Sequence, residues 1–382
     1  MIDTIVLVLR QNMFTIADHN KFSPSTEGLF NDSYRLGGRS NMVCIQNPTS
    51  NELKQGIYKP RLTVTKRINK LHNFEIMLKI EFSIPKLLFG NNFDELEDND
   101  FDKVIQILKN KLREMGVFIL EHRLINAPVS NIHYSKNIPL TDYSTPYTYL
   151  EKLSKANINL RLDVNQTDFR NEGHSLKYRT NSFEVVFYDK LKDLDKAKIS
   201  EKRAEEKDNR LQLDLFENGN FKRPFEVLRM EVRLNRKQKL VQMLKKVGFV
   251  EEPTFQALFK KDIAQKILLY YLGEIEAGFP AILRYESKPK DFMSEFVINN
   301  PKAGLRKALQ MLGLRVLFDE IGVREFREIT KQYGQQKWYK LNKELESFAY
   351  PVKPDSFTFL RRAVTKFKPL KMFDFKTQTI NN

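Results

Sequence analysis

The sequence predicts an α+β fold in which a mainly antiparallel sheet is flanked by helices and followed by a helical C-terminal region. Over roughly the first 235 residues, several segments alternate apolar and polar residues with the period of two that marks a half-buried strand. From about residue 255, apolar residues recur every three or four positions, which is typical of helices. We therefore predict one domain at residues 1–250 and a second at residues 251–382.

The first predicted elements lie between residues 1 and 135. The opening segment MIDTIVLVLR indicates a strand, and FEIMLKIEFS (74–83) indicates another, with alternate residues from Ile76 to Phe82 on its core face. An acidic stretch then leads into a helix with apolar positions at Val104, Ile105, Leu108 and Leu112, which ends near Gly116. A pair of strands is predicted at 117–125 and 129–135.

The remaining elements alternate less regularly. We predict a helix at 146–156, strands at 158–164 and 178–188, and a solvated helix or mobile connection in the highly charged stretch 191–208. After a further strand at 227–235, helices are predicted at 255–277 and after Asn300, with Pro301 in its first turn. Shorter helices are predicted to end before Gly334 and Pro351.

Two of the predicted strands carry polar residues on the face opposite their apolar row. In SFEVVFYDK, alternation places Phe183, Val185 and Phe187 on one face, and Tyr188 and Lys190 on the other. In VLRMEVRLN, the core row is Leu228, Met230, Val232 and Leu234, and the opposite row is Arg229, Glu231 and Arg233. A tyrosine, a lysine, a carboxylate and two guanidinium groups on one sheet surface are suited to handling phosphate.

The net charge of +16 is concentrated in the C-terminal part of the chain. Residues 1–220 contain 32 basic and 30 acidic residues, a difference of +2, which leaves +14 for residues 221–382. A field of this size attracts polyanions such as nucleic acids. We therefore expect the polyanion-binding surface to lie mainly in the C-terminal part.

Several classes of protein are excluded or unsupported. Cys44 is the only cysteine, which excludes an internal disulfide and a cysteine-based zinc site. No apolar run is long enough to span a bilayer, and the first residues lack the basic region of a signal peptide, so we expect no membrane association and a cytoplasmic location. The motifs of P-loop, dinucleotide-binding, zinc-protease and serine-hydrolase enzymes are missing.

Three strands each place one possible metal ligand on their non-core face: Glu81, His133 and Glu231. Two carboxylates and an imidazole suit a hard divalent ion such as Mg²⁺ or Mn²⁺. Each residue also has a structural interpretation. A single histidine on a strand is usually hydrogen-bonded structure, Glu231 between two arginines could be a surface charge ladder, and Tyr188 could be an amphipathic aromatic at a sheet edge.

Five short blocks together resemble the gene II replication proteins of filamentous phages and the related rolling-circle initiators of small plasmids. The blocks are MIDTIVLVLR, IEFSIPKLLFGNN (80–92), VSNIHYSKN (129–137), FEVVFYDK (183–190) and VLRMEVRLN (227–235). They follow the family's order at similar separations over roughly residues 1–250. The order and spacing carry the specificity, since each block is short and degenerate.

The resemblance implies a metal-dependent DNA endonuclease and strand transferase that initiates replication in the cytoplasm of a bacterial host. Tyr188 matches the family's nucleophile, which forms a 5′-phosphotyrosine, frees a 3′-OH for synthesis and later rejoins strands. Lys190 could lower the cost of forming the phenolate, and Arg229 and Arg233 could clamp phosphates. The implied partners are duplex and single-stranded origin DNA and the host helicase and polymerase.

The chain departs from the family at one position. The phage proteins have an aspartate where this chain has His133, and the His-hydrophobic-His pair of many rolling-circle nucleases is missing, since no two of the five histidines are two residues apart. Asp163 is therefore a reserve metal ligand. Two other functions remain open: a non-catalytic, sequence-specific DNA-binding replication regulator, and an RNA-binding module whose aromatic residues stack on bases. Only the endonuclease requires the Tyr188 hydroxyl.

Overall fold

The structure is a computed structural model. It describes every residue except 31–40, 69–72, 157–165, 171–172, 194–224, 285–286, 351–354, 373 and 375–382. The strand predicted at 158–164, with the reserve ligand Asp163, lies outside the described residues. So does most of the charged stretch predicted at 191–208, together with the tip of the C-terminus.

A nine-stranded sheet forms the centre of the molecule, and all its pairings are antiparallel. The strand order is β3-β4-β5-β1-β7-β11-β10-β9-β8. The strands are β1 (Ile2–Arg10), β3 (Asn41–Gln46), β4 (Arg61–Ile68), β5 (Phe74–Ser83), β7 (Val129–Leu140), β8 (Gln166–Arg170), β9 (Ser175–Arg179), β10 (Phe183–Asp189) and β11 (Glu226–Leu234). The predicted α+β class with a mainly antiparallel sheet is confirmed.

Two strand predictions differ from the structure. The strand predicted at 117–125 is only β6 (Val117–Phe118), which pairs with β2 (Thr15–Ile16), and it is followed by a one-turn helix, α4 (Glu121–Ile125). The strand predicted at 178–188 is two strands, β9 and β10. They are separated by a turn in which the Thr180 hydroxyl accepts hydrogen bonds from the backbone N–H groups of Ser182 and Phe183. Such side-chain bonds compete with the strand ladder.

Helices surround the sheet and make up most of the C-terminal region. The earlier helices are α1 (Ser50–Lys54), α2 (Ile84–Phe89), α3 (Phe101–Glu114), α4 and α5 (Pro146–Ser154). The later ones are α6 (Lys237–Lys246), α7 (Phe255–Leu258), α8 (Lys261–Ala277), α9 (Ala281–Arg284), α10 (Pro289–Asn299), α11 (Gly304–Ile329), α12 (Gln335–Glu346) and α13 (Ser356–Lys366). The predicted helical C-terminal region is confirmed.

Two helix predictions are corrected by the local backbone. The helix predicted at 255–277 is interrupted between α7 and α8. Pro301 is not in the first turn of a helix, because Asn300 ends α10 instead of beginning α11: its N–H donates to the Phe296 carbonyl. The Ala303 N–H then donates to the Asn300 carbonyl and closes a turn around Pro301, so that α11 begins only at Gly304.

One face of the central strands packs against helices. The predicted core rows of β10 and β11 are buried, and α6, α8 and α13 contact β7 or β11. The ring of Phe183 on β10 lies 5.2 Å from the ring of Tyr271 on α8. Side chains of the sheet and of α8, which lie on either side of residue 250 in the sequence, belong to one hydrophobic cluster. The division into two domains at residue 250 stays a prediction.

The described part of the chain contains no helix that is both long enough and apolar enough to cross a bilayer. The longest one, α11, has a non-helical residue inside it at Gly322.

Candidate active site

A polar cavity of about 590 Å³ lies over the central strands, on the face opposite the one that packs against helices α6 and α8. Five of the residues predicted for the site line this cavity, and they come from four strands: Glu81, His133, Tyr188, Glu231 and Arg233. The other lining residues are Asp3, Thr4, Arg61, Asn92, His174, Ser175, Lys177, Val186, Asp189, Lys192 and Asp193. The sheet thus brings together side chains that are as much as 230 residues apart in sequence (Arg233 and Asp3, 233 − 3).

Three of the lining side chains form a compact group of possible metal ligands. Asp3 on β1, His133 on β7 and Glu231 on β11 come from three consecutive strands of the sheet, and their ligand atoms all lie within 4.8 Å of one another. His133 Nδ1 is 3.6 Å from Glu231 Oε1. Two carboxylates and one imidazole are the donor set that Mg²⁺ or Mn²⁺ accepts, and the cavity leaves room for other ligands. We call these three residues the ligand cluster.

The first residue of the ligand cluster, Asp3, was not predicted as a site residue. The alternation of Ile5, Leu7 and Leu9 would place Asp3 on the core face of its strand. In the structure, the register between β1 and β7 shifts between Ile2 and Thr4, which inserts Asp3 as an extra residue. A bulge of this kind re-aims a side chain, and it brings Asp3 to the polar face.

The charges of the ligand cluster suit metal binding. Burial opposes ionisation of Asp3, but the nearby positive charges, that of Arg229 above all, together with a hydrogen bond from Thr4 outweigh it and lower the pKa of Asp3 to about 2. Burial also opposes ionisation of Glu231, and Arg233 brings the pKa of Glu231 below its ordinary value. For His133, burial lowers the pKa despite the opposing charge of Glu231. At neutral pH the cluster therefore presents two carboxylates and a neutral imidazole, which are the forms that bind metals.

Glu81, the other predicted metal ligand, lies in the same cavity but outside the ligand cluster. It is on β5, one strand further along the sheet than Asp3, and it accepts a 2.9 Å hydrogen bond from Lys79. Its side chain is 39% exposed, whereas that of Glu231 is 3% exposed. Asp3 is therefore the third member of the compact group, and metal binding by Glu81 stays a prediction.

The two predicted phosphate-binding arginines have different surroundings. Arg229 is buried, and its guanidinium donates to Asp3, to the Asn92 carbonyl at 2.8 Å, to Asn137 and to Ser135. Arg229 therefore pairs with Asp3 of the ligand cluster. It is not accessible to a DNA phosphate, because its side chain is 2% exposed. The prediction of a direct DNA contact by Arg229 is therefore not supported by its position.

Arg233 is placed where a phosphate could reach it. Its side chain is 30% exposed and lines the cavity, with Nε donating to Glu231 Oε1 at 2.9 Å and Nη1 donating to Glu184 at 3.2 Å. Both carboxylates lie on the sheet, so the guanidinium is fixed in orientation.

Tyr188 is near the end of β10 and pairs with Arg229, whereas Lys190 lies just after the strand and is fully buried. Burial raises the pKa of Tyr188 well above its ordinary value; Glu231 adds to this effect, and Arg229 opposes it. Burial, together with repulsion from Arg229, lowers the pKa of Lys190 to about 7. The Lys190 ammonium nitrogen is 6.0 Å from the centre of the Tyr188 ring and donates to Asn92 Oδ1 at 2.5 Å.

Comparisons with protein-family models, with curated protein sequences and with solved structures found no match to this chain. The resemblance to the gene II replication proteins therefore stays a prediction. Any function has to be argued from the cavity and its side chains.

Proposed function

We propose that the protein is a rolling-circle replication initiator: a metal-dependent DNA endonuclease and strand transferase that uses Tyr188 as its nucleophile. The observation that carries the proposal is that Tyr188 and the ligand cluster line one cavity on adjacent strands of the sheet. A phosphodiester in this cavity would meet a hydroxyl nucleophile and the ligands of a divalent ion together.

The residues have separate tasks in this proposal. Asp3, His133 and Glu231 would hold Mg²⁺ or Mn²⁺, which when bound supplies positive charge for the scissile phosphate. Arg229 holds Asp3 in place, and Arg233 orients a phosphate oxygen. The raised pKa of Tyr188 means that its hydroxyl keeps its proton until substrate and cations enter the cavity.

The covalent step explains why a tyrosine is suited to the reaction. Attack by the Tyr188 oxygen on the phosphorus breaks the bond to the 3′ oxygen and forms a 5′-phosphotyrosine, so the energy of the phosphodiester is retained. A free 3′-OH can then be extended by a polymerase. The same bond can later be attacked by a 3′-OH, which rejoins the strands without ATP.

The C-terminal region would supply most of the DNA attraction. Residues 221–382 carry a net charge of +14, and phosphate contacts of this kind give salt-dependent binding. Duplex and single-stranded origin DNA are the proposed substrates, with the host helicase and polymerase as partners. Location in the bacterial cytoplasm is part of the same proposal.

Labelled DNA tests the proposal and its polarity. Purified protein is incubated with Mn²⁺ and a random-sequence pool of single-stranded DNA 60-mers, labelled at either the 3′ or the 5′ end, and then separated under denaturing conditions. We expect the 3′ label to remain on the protein and the 5′ label to be released on fragments that a polymerase extends. DNA binding with no retained label of either kind would support the non-catalytic regulator instead. A retained 5′ label would contradict the proposed 5′-phosphotyrosine.

A further inference from the structure

We propose that His174 is a further catalytic residue, which accepts the proton of the Tyr188 hydroxyl during attack. This inference rests on the proposed function, because it assigns the base for the same nucleophile. His174 was not among the residues predicted from the sequence. It lies in the turn immediately before β9, next to Ser175. The alternation of residues in a strand therefore gives no indication of where its side chain lies.

The register of the sheet places His174 beside Tyr188. Tyr188 pairs with Ser175, the first residue of β9, and the N–H of Asp189 donates to the His174 carbonyl at 3.1 Å. The side chains of Tyr188, His174 and Ser175 all line the cavity that also contains the ligand cluster. The imidazole and the phenol therefore face the same space from neighbouring strands.

The imidazole of His174 lies between two charged neighbours. The Lys192 ammonium donates to its Nε2, while its buried Nδ1 makes no hydrogen bond and lies 3.5 Å from Asp189 Oδ2. A ring that accepts at Nε2 carries its proton on Nδ1, towards the carboxylate. The negative charge of Asp189 on this side of the ring would stabilise the imidazolium that forms when Nε2 accepts a proton.

Asp189 is itself fixed, and the ring is confined. The Lys192 N–H donates to Asp189 Oδ1 at 2.9 Å, and the Asp189 side chain is 8% exposed. The ring of Tyr147 lies 6.1 Å from the ring of His174. A scissile phosphate that enters the cavity would compete with His174 for the Lys192 ammonium. When the ammonium moves to the phosphate, the lone pair of His174 Nε2 becomes available to accept a proton.

Lys190 and His133 are less suited to act as the base for Tyr188. Lys190 donates to Asn92 and is not part of the cavity lining. His133 has Nδ1 directed at Glu231, and its Nε2 lies 3.3 Å from Asn235 Oδ1. Among the cavity-lining residues, His174 combines an imidazole, an orienting carboxylate and a position next to the nucleophile.

The proton of the Tyr188 hydroxyl moves to His174 Nε2 while the phenolic oxygen forms a bond to phosphorus. The bond between phosphorus and the 3′ oxygen breaks, and this oxygen leaves with the electron pair and takes a proton from solvent. In the reverse reaction, when a 3′-OH attacks the phosphotyrosine, the imidazolium of His174 returns a proton to the Tyr188 oxygen.

The test measures the single-turnover rate at which the 3′ label becomes attached to protein, in wild type, His174→Ala and the control His122→Ala, which removes an exposed histidine. General acid–base catalysis contributes a factor of roughly 100 or more. We expect the rate for His174→Ala to fall by about that factor and to recover when free imidazole is added. The Mn²⁺ concentration for half-maximal rate should stay at the wild-type value, and His122→Ala should react as wild type.

The outcomes separate this inference from the proposed function. If wild type forms no adduct, the proposed function fails and this inference fails with it. If wild type forms the adduct and His174→Ala forms it at a similar rate, only the assignment of His174 is overturned. A slow His174→Ala that imidazole does not restore, or that needs more Mn²⁺, also overturns it. His174→Asn, which keeps a polar side chain of similar size, replaces the alanine variant if thermal melting shows that His174→Ala is unfolded.

Discussion

His133 Nδ1 and Glu231 Oε1 lie 3.6 Å apart across two neighbouring strands, with the Glu231 side chain only 3% exposed. Burial lowers the pKa of His133, although the charge of Glu231 acts in the opposite direction. The pair is therefore a neutral imidazole facing a carboxylate, not an ion pair. These two groups, with Asp3 beside them, are the ones to which the proposed function assigns a shared cation.

The ligand cluster predicts a difference between two glutamates of the same cavity. Glu231→Gln and Asp3→Asn should each weaken Mn²⁺ binding by roughly tenfold or more, because each removes a charged ligand atom. Glu81→Gln is the matched control, since Glu81 lines the cavity outside the cluster. Isothermal titration calorimetry with Mn²⁺ measures all three. An equal loss of Mn²⁺ affinity in Glu81→Gln and Glu231→Gln would show that Glu81 is also a metal ligand and would contradict the assignment of the site to Asp3, His133 and Glu231 alone.

The surroundings of Arg229 predict a large effect on stability. Arg229→Met should lower the free energy of unfolding by about 3–5 kcal/mol, because Asp3 would lose the partner of a buried ion pair. Arg67→Met is the control: Arg67 forms an ion pair with Glu75 on the neighbouring strand, but its side chain is 50% exposed, and we expect a loss of about 0–1 kcal/mol. Urea unfolding measures both. Similar losses for the two variants would contradict a supporting role for Arg229.

Lys190 predicts a pH dependence of stability. Burial and the charge of Arg229 lower its pKa to about 7 in the folded protein, from an ordinary value of 10.5. Between these values the unfolded chain binds a proton that the folded protein does not, so stability rises with pH across this window. Below pH 7 both states hold the proton, and the slope from this group vanishes.

The comparison with a variant isolates this effect. From pH 7 to pH 9 the wild type should gain about 2 kcal/mol relative to Lys190→Met, which has no titrating group at this position. Lys237→Met removes an exposed lysine and serves as the control. Urea unfolding at the two pH values gives the difference. Parallel curves for wild type and Lys190→Met would mean that Lys190 is charged in the folded protein at pH 9.

The strands and their faces were largely predictable from the sequence, because a period of two depends only on neighbouring residues. This is why the core rows of β5, β10 and β11 agree with the structure. Alternation reports the face of a residue but not its depth. It placed Arg229 on the polar face correctly, yet could not show that Asn92 and Asn137 would enclose its guanidinium.

The ligand cluster could be predicted only in part. His133 and Glu231 follow from alternation, whereas Asp3 reaches the same face through a bulge that exists only when β1 pairs with β7, about 130 residues later. The order of the strands is also a tertiary property. Nothing local indicates that β1 lies between β5 and β7, and that order places Asp3 nearer to His133 than Glu81 is.

The central claim is that Tyr188 forms the covalent bond to DNA, and peptide mass spectrometry of the trapped adduct tests it most directly. The adduct formed with Mn²⁺ and single-stranded DNA is digested with nuclease and protease, and the peptide that retains a nucleotide is sequenced. We predict a nucleotide 5′-phosphate on Tyr188, and no modified peptide from Tyr188→Phe, which keeps the ring but lacks the hydroxyl. A nucleotide on any other residue, or a modified peptide of equal yield from Tyr188→Phe, would contradict the claim.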